Sequence, residues 1–335
     1  MATPTVTSVN PGIGVTTGGT PVTITGTNLT GTTTVTFGGT PATNFTVNSN
    51  TQISATTPPH PAGTALVAVT TPAGTSTSSV SFFYLAPTTP TITSVSPNNG
   101  PTTGGTPVTI TGTNLTGTTT VTFGGTPATN FTVNSNTQIS ATTPPHPAGT
   151  ALVAVTTPAG TSNAAQYFYI NAPTINSLSP TIGPETGGNP VVIDGTDLAP
   201  VTATSFGVVS ASFSVTNGNE ILAIAPSGTS FVQVAVVSPG GLSNSIFYNY
   251  VPAPVITGLS PGLGPEAGGN QVTINGTDVG LVSAVFFGVE PASFAALSDS
   301  QVLATAPAGT GTTHVVLTTP GGTSTGLAYT YVAPP

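Results

Sequence analysis

The side chains that carry a fixed charge at neutral pH are eight carboxylates: Glu185, Asp194, Asp197, Glu220, Glu266, Asp278, Glu290 and Asp299. The chain has no Lys and no Arg and only three His, so its formal net charge is -8. Oxygen-rich clusters are the chemistry of Ca²⁺. Glu185, Asp194 and Asp197 lie close in sequence and are candidate ligands, with backbone carbonyls completing the shell. Similar stretches elsewhere argue for a plainer role. Glu266 and Asp278 recur 81 residues on, but Asn275 stands in for Asp194, and Asn28 and Asn114 hold the place of Asp197 in earlier stretches. An Asn or Asp after Gly-Thr suits a turn in which its side chain bonds nearby backbone N–H groups. Turn chemistry accounts for all four positions, a metal for at most two.

Catalysis finds little to work with. A general acid/base pair of carboxylates needs a cleft that holds the two groups about 5–9.5 Å apart. No cleft is predicted, so no catalytic residue is assigned and no enzyme activity or cofactor is expected. His60 and His146 sit in identical Pro-Pro-His-Pro-Ala-Gly turns and read as solvated turn residues. His314 alternates with the apolar Val315 and Leu317 and should point outward. None of the three His residues has a repeat-equivalent Ser and acid with which to form a triad.

The missing residue types exclude more than the present ones suggest. Without Lys or Arg, phosphate backbones cannot be neutralised, so nucleic acid is not a partner. Anionic membrane surfaces and P-loop or Schiff-base chemistry go the same way. Without Cys there is no disulfide, thiolate metal site or thiol nucleophile. No apolar run approaches about 18 residues, so no membrane insertion is expected. Met1 to Thr30 has neither a basic n-region nor an apolar h-region, so this chain is expected to carry no signal peptide.

The elements that hold these residues come in copies. Thr16 to Ser76 and Thr102 to Ser162 are the same string, residue for residue, at an offset of 86. Two weaker copies follow, marked by Gly187-Gly188 and Gly268-Gly269 in the place of Gly18-Gly19 and Gly104-Gly105. Within a copy, apolar residues alternate with period two: Val22 and Ile24, Val35 and Phe37, Ile53 and Ala55, Val67 and Val69, then Val80, Phe82 and Tyr84. That is the pattern of half-buried strands. Gly-Gly, Gly-Thr-Asn, Pro-Pro and Pro-Ala-Gly punctuate the runs as turns. Short strands at even spacing predict a β-sandwich. Val6 and Val9 are three apart, which predicts a bulged first strand that switches sheets.

The spaced motifs Pro4 to Pro11, Gly14 to Asn28, Val35 to Gly39, Thr57-Pro58 and Phe82 to Tyr84 resemble the IPT/TIG immunoglobulin-like domain. The resemblance extends over all four copies. It implies an all-β chain of tandem immunoglobulin-like, early-set β-sandwiches, arranged as a rod, with domains at 1–87, 88–172, 173–252 and 253–335. The family occurs in transcription factors, plexin-type receptors and bacterial surface arrays. The first of these contacts DNA through basic loops, which this chain lacks; the last fits its composition.

The joints Leu85-Ala-Pro87, Asn171-Ala-Pro173 and Val251-Pro-Ala-Pro254 are short and Pro-bearing, hence semi-rigid. Both chain ends read as halves of such a joint, from which head-to-tail self-association into filaments is expected. All eight acids lie in the third and fourth copies, leaving the first two without charge to repel a neighbour. The closing aromatics Phe82, Phe83, Tyr84, Tyr167, Phe168, Tyr169, Phe247, Tyr248, Tyr250, Tyr329 and Tyr331 are read as core on one face and joint packing on the other. Stacking on surface glycans is their alternative use. Five N-x-[ST] sequons, at Asn28, Asn44, Asn114, Asn130 and Asn275, matter only in a cell that glycosylates them. The expected function is a non-enzymatic extracellular structural protein, a spacer or filament subunit on a bacterial cell or spore surface. An adhesin or carbohydrate-binding array is the alternative.

Overall fold

The computed structural model describes residues 2–77 and 79–333. The first copy sets the pattern with β1 (Thr5–Asn10), β2 (Ile13–Val15), β3 (Pro21–Thr27), β4 (Thr34–Phe37) and β5 (Thr40–Pro41). It continues with β6 (Asn44–Ser49), β7 (Gln52–Thr56), β8 (Gly63–Thr71), β9 (Gly74–Thr75) and β10 (Ser81–Leu85). One sheet runs β1-β3-β7-β6; the other runs β2-β10-β8-β4-β5, with β9 paired to β8. The alternation read from sequence decides which face turns inward. Val22, Ile24, Ile53 and Ala55 from one sheet meet Val35, Phe37, Ala65, Val67, Val69, Phe82 and Tyr84 from the other, all buried. Two one-sided sheets facing each other over such a core make a sandwich.

The first strand is bulged, as its spacing predicts: the register with β3 shifts between Val6 and Ser8. The change of sheet comes later, at Asn10-Pro11-Gly12, where the peptide bond to Pro11 is cis. The chain then runs as β2, parallel to β10. Ser96-Pro97, Ser179-Pro180 and Ser260-Pro261 repeat the cis bond.

The Gly-Gly of the motif has a steric reason. Gly18 and Gly19 have φ of 72° and 80°, a region closed to most side chains. A Cβ on Gly18 would also lie 2.5 Å from the Pro58 carbonyl carbon.

The third copy departs from the others along one edge. Where the first has separate β5 and β6, a single strand, Val209–Asn217, pairs with Ala203–Phe206 on one side and Glu220–Ile224 on the other. The two sheets thereby join into one of nine strands. Ser210 stands there in place of Pro41, Pro127 and Pro291. Proline has no N–H for a ladder and tends to end or edge a strand.

Candidate functional site

The carboxylates of the third copy do not converge. Glu185 follows the edge strand Ile182–Pro184; its amide donates to the Val251 carbonyl at 3.2 Å and its carbonyl accepts from the Gly228 amide at 2.9 Å. Asp197 follows the far end of Pro190–Thr196, a strand of seven residues, which at about 3.3 Å each puts the two roughly 20 Å apart. Asp194 lies on that strand and accepts from the Ser177 hydroxyl at 3.1 Å. Its nearest acid is one the sequence did not pair with it: Glu220 is its direct cross-strand partner. Among the described residues no group of three His, Cys, Asp or Glu side chains is gathered in the manner of a metal site.

The Asn/Asp position after Gly-Thr is a turn position, for a different reason than the one predicted. Asn28, Asn114, Asp197 and Asp278 all have φ of 56–58°. Asn and Asp tolerate this left-handed conformation better than other residues with a Cβ. In the first two copies the side chain donates: Asn28 Nδ2 to the Thr3 carbonyl and Asn114 Nδ2 to the Thr89 carbonyl, both at 3.3 Å. A carboxylate cannot make that bond, so the shared requirement is the backbone conformation.

The turn histidines are not simply solvated. His60 stacks on Tyr84 with centroids 4.8 Å apart and planes 20° apart, and His146 does the same on Tyr169. In each, Nδ1–H donates to the carbonyl of the next proline at 2.8 Å. In the third and fourth copies, where the His turn is missing, Gly228 and Gly309 lie against Tyr250 and Tyr331; a Cβ on either would come within 2.5 Å of the ring. Histidine and bare glycine backbone are two ways of covering the same tyrosine. His314 is exposed, as its alternation predicts.

Those tyrosines pin the end of the core. Tyr84, Tyr250 and Tyr331 donate to the carbonyls of Pro58, Pro226 and Pro307 at 3.0, 2.7 and 2.9 Å. Burial pushes the Tyr250 phenol up to about 12, and the neighbouring Tyr248 adds to the shift. Tyr84, Tyr248 and Tyr331 are raised for the same leading reason, loss of water. Tyr84, Tyr250 and Tyr331 are structural donors, and Tyr248 accepts from the Asn189 amide.

The other face of the closing strands corrects an expectation. Phe83, Phe168 and Phe247 do not pack away from water: they are 44%, 38% and 60% exposed. In the third copy this outer face is the most apolar, because Phe231 is also exposed and Val208 and Leu242 stand beside it. They border a groove of about 680 Å³ whose polar wall includes Ser205, Gln233 and Ser245. Sequence reading missed Phe231; its place on an outward position of Ser230–Ser238, where the first two copies carry Thr64 and Thr150, is the signal that could have found it.

Fold and surface together define an array of immunoglobulin-like sandwiches. The chain belongs to the IPT/TIG domain family, which matches residues 4–84, 90–169, 173–251 and 254–331. Among solved structures, it is similar to the plexin A4 extracellular region, domains 1 to 10, at 22% identity and a TM-score of 0.33. That match covers 96% of this chain and 30% of plexin A4; a second plexin A4 structure is covered to 48%. The chain thus spans less than half the length of either. It is also similar to invasin, a bacterial integrin-binding protein, at 11% identity, covering 99% of this chain and 79% of invasin, with a TM-score of 0.33. A third similar structure is SGBP-B from a xyloglucan utilization locus in Bacteroides uniformis, at 17% identity, 61% and 74% coverage and a TM-score of 0.25.

Proposed function

We propose that this chain is a non-enzymatic structural protein of an external surface, a spacer or a self-associating filament subunit on a bacterial cell or spore. The observation that carries the reading is the repetition itself. One sandwich is used four times, and the string Thr16 to Ser76 returns unchanged as Thr102 to Ser162. Copying a sandwich without altering it adds length and surface but no new chemistry. The first two copies carry no charged side chain, so nothing on their surfaces repels a neighbouring chain. The absence of Lys and Arg leaves trypsin no cleavage site, which suits a durable outer structure.

Negative-stain electron microscopy of the purified chain over a range of concentrations tests this. Fibres, with a repeat related to the length of one chain, are expected. Dispersed single molecules at every concentration would remove the filament and leave the spacer.

Binding of surface glycans is a second reading, favoured by one observation: the closing strands of three copies set a phenylalanine ring in solvent, at Phe83, Phe168 and Phe247.

A further inference from the structure

The outer face of the third sandwich differs in kind from its counterparts. Ser230–Ser238 and Ile246–Val251 pair antiparallel there, with Phe231 opposite Asn249 and Gln233 opposite Phe247. Two rings and two amides therefore alternate at the corners of one patch. The rings sit on a diagonal, their backbones roughly 7–8 Å apart. Phe231 is 69% and Phe247 60% exposed. The matching places in the first copy hold Thr64 opposite Phe83 and Leu66 opposite Ser81, and in the fourth Thr312 opposite Thr330 and His314 opposite Ala328. Only one ring, or none, is presented in those two copies.

We propose that this face binds a neutral polysaccharide, with Phe231 and Phe247 as stacking platforms and Gln233, Asn249 and Ser205 as hydroxyl partners. The proposal rests on the glycan reading above and names its site and ligand class.

Three features select this occupant. A sugar ring has one face of C–H groups and a rim of hydroxyls. It therefore suits a surface where aromatic rings and side-chain amides are interleaved. The apolar face of another protein would bury Gln233 and Asn249 without partners, which is costly. The groove that Phe231 and Gln233 border, about 680 Å³, is within the size range of small-molecule sites, roughly 300–1,000 Å³. Charge sets the class: none of the residues lining the groove is charged, and a chain of net charge -8 with no cation offers an anionic glycan only repulsion.

The test is retention of the full chain on insoluble microcrystalline cellulose, chitin and starch, with alginate gel as the anionic comparison. The Phe231→Ala/Phe247→Ala double variant and Phe83→Ala are run beside it. Both rings of the double variant are exposed, so it should keep the melting temperature of the parent. Retention on at least one neutral polysaccharide and not on alginate is expected, falling about tenfold or more in the double variant and unchanged in Phe83→Ala. Equal retention of parent and double variant would overturn this site while leaving glycan binding in place. No retention of the parent on any of the three would overturn the glycan reading as a whole. Retention on alginate as strong as on the neutral matrices would overturn the ligand class. A double variant that sediments as a smaller species than the parent, with retention unchanged, would assign the face to a second copy of the chain.

Discussion

At the scale of single residues, the position after Gly-Thr separates backbone demand from ligand chemistry. If Asp197 is there for its φ of 56°, Asp197→Asn and Asp197→Gly should leave stability nearly unchanged, while Asp197→Ala should cost about 1 kcal/mol in thermal or urea unfolding. Millimolar calcium should move none of these transitions. A rise of the parent's melting temperature with calcium, lost in Asp197→Asn, would restore the metal. A second residue-scale prediction concerns Tyr250. Its phenol titrates near 10 in the unfolded chain and is pushed up to about 12 in the fold. The folded state thus favours the protonated form. The stability this contributes is complete below pH 10 and is lost as pH rises through about 12. The unfolding midpoint followed from pH 9 upward should fall in that window, and Tyr250→Phe should flatten part of the fall. The αL turn was legible as a turn because Gly-Thr-Asn/Asp recurs. The partner of its side chain was not, because Thr3 is 25 residues away from Asn28 and only the fold brings them together.

At the scale of elements, most of the core was legible. The pairs Val22/Ile24 and Val67/Val69 lie on inward faces because a period of two leaves no other choice for a sheet with one buried side. The bulge was legible from the three-residue step between Val6 and Val9. The sheet change was expected, but its place at Pro11 was not legible, because a bulge and a crossing both interrupt the same alternation. The continuous strand Val209–Asn217 was not foreseen: Ser210 stands where the other copies have proline, and against the first two copies one residue is missing between this place and Phe213. Its pairing makes a test. Ser210 faces Ser205 next to the tight hairpin pair Phe206 and Val209, which turns its N–H away from Ala203–Phe206. Ser210→Pro should therefore change stability by less than about 1 kcal/mol. Ala211→Pro should cost several times more, about 3 kcal/mol, because Ala211 belongs to the next, hydrogen-bonded pair with Thr204. Equal effects of the two substitutions would show that the register is misassigned.

At the scale of the whole molecule, duplication and charge pull the two halves of the sequence apart. The first two sandwiches share most of their buried residues, Val22 with Val108, Ile24 with Ile110, Phe37 with Phe123, while Ile92 replaces Val6 and Tyr167 replaces Phe82, so their intrinsic melting should be close. At the place of Phe82 and Tyr167 the third and fourth have Tyr248 and Tyr329, each accepting from an asparagine amide, Asn189 or Asn270. Calorimetry should resolve one component from this near-identical pair and separate ones from the others; four distinct components of equal size would contradict it. The same duplication has a kinetic side. Pro21 pairs with Thr56 and Pro107 with Thr142 through the same residue types at every step of the ladder. A newly made chain has nothing in those segments to distinguish its own hairpin partner from the neighbour's. Exchange of β7 for Gln138–Thr142 would satisfy every contact locally and cost only a longer loop. Synthesis in order from the ribosome, which finishes one copy before the next emerges, is the simplest way for such a gene to avoid entangled products.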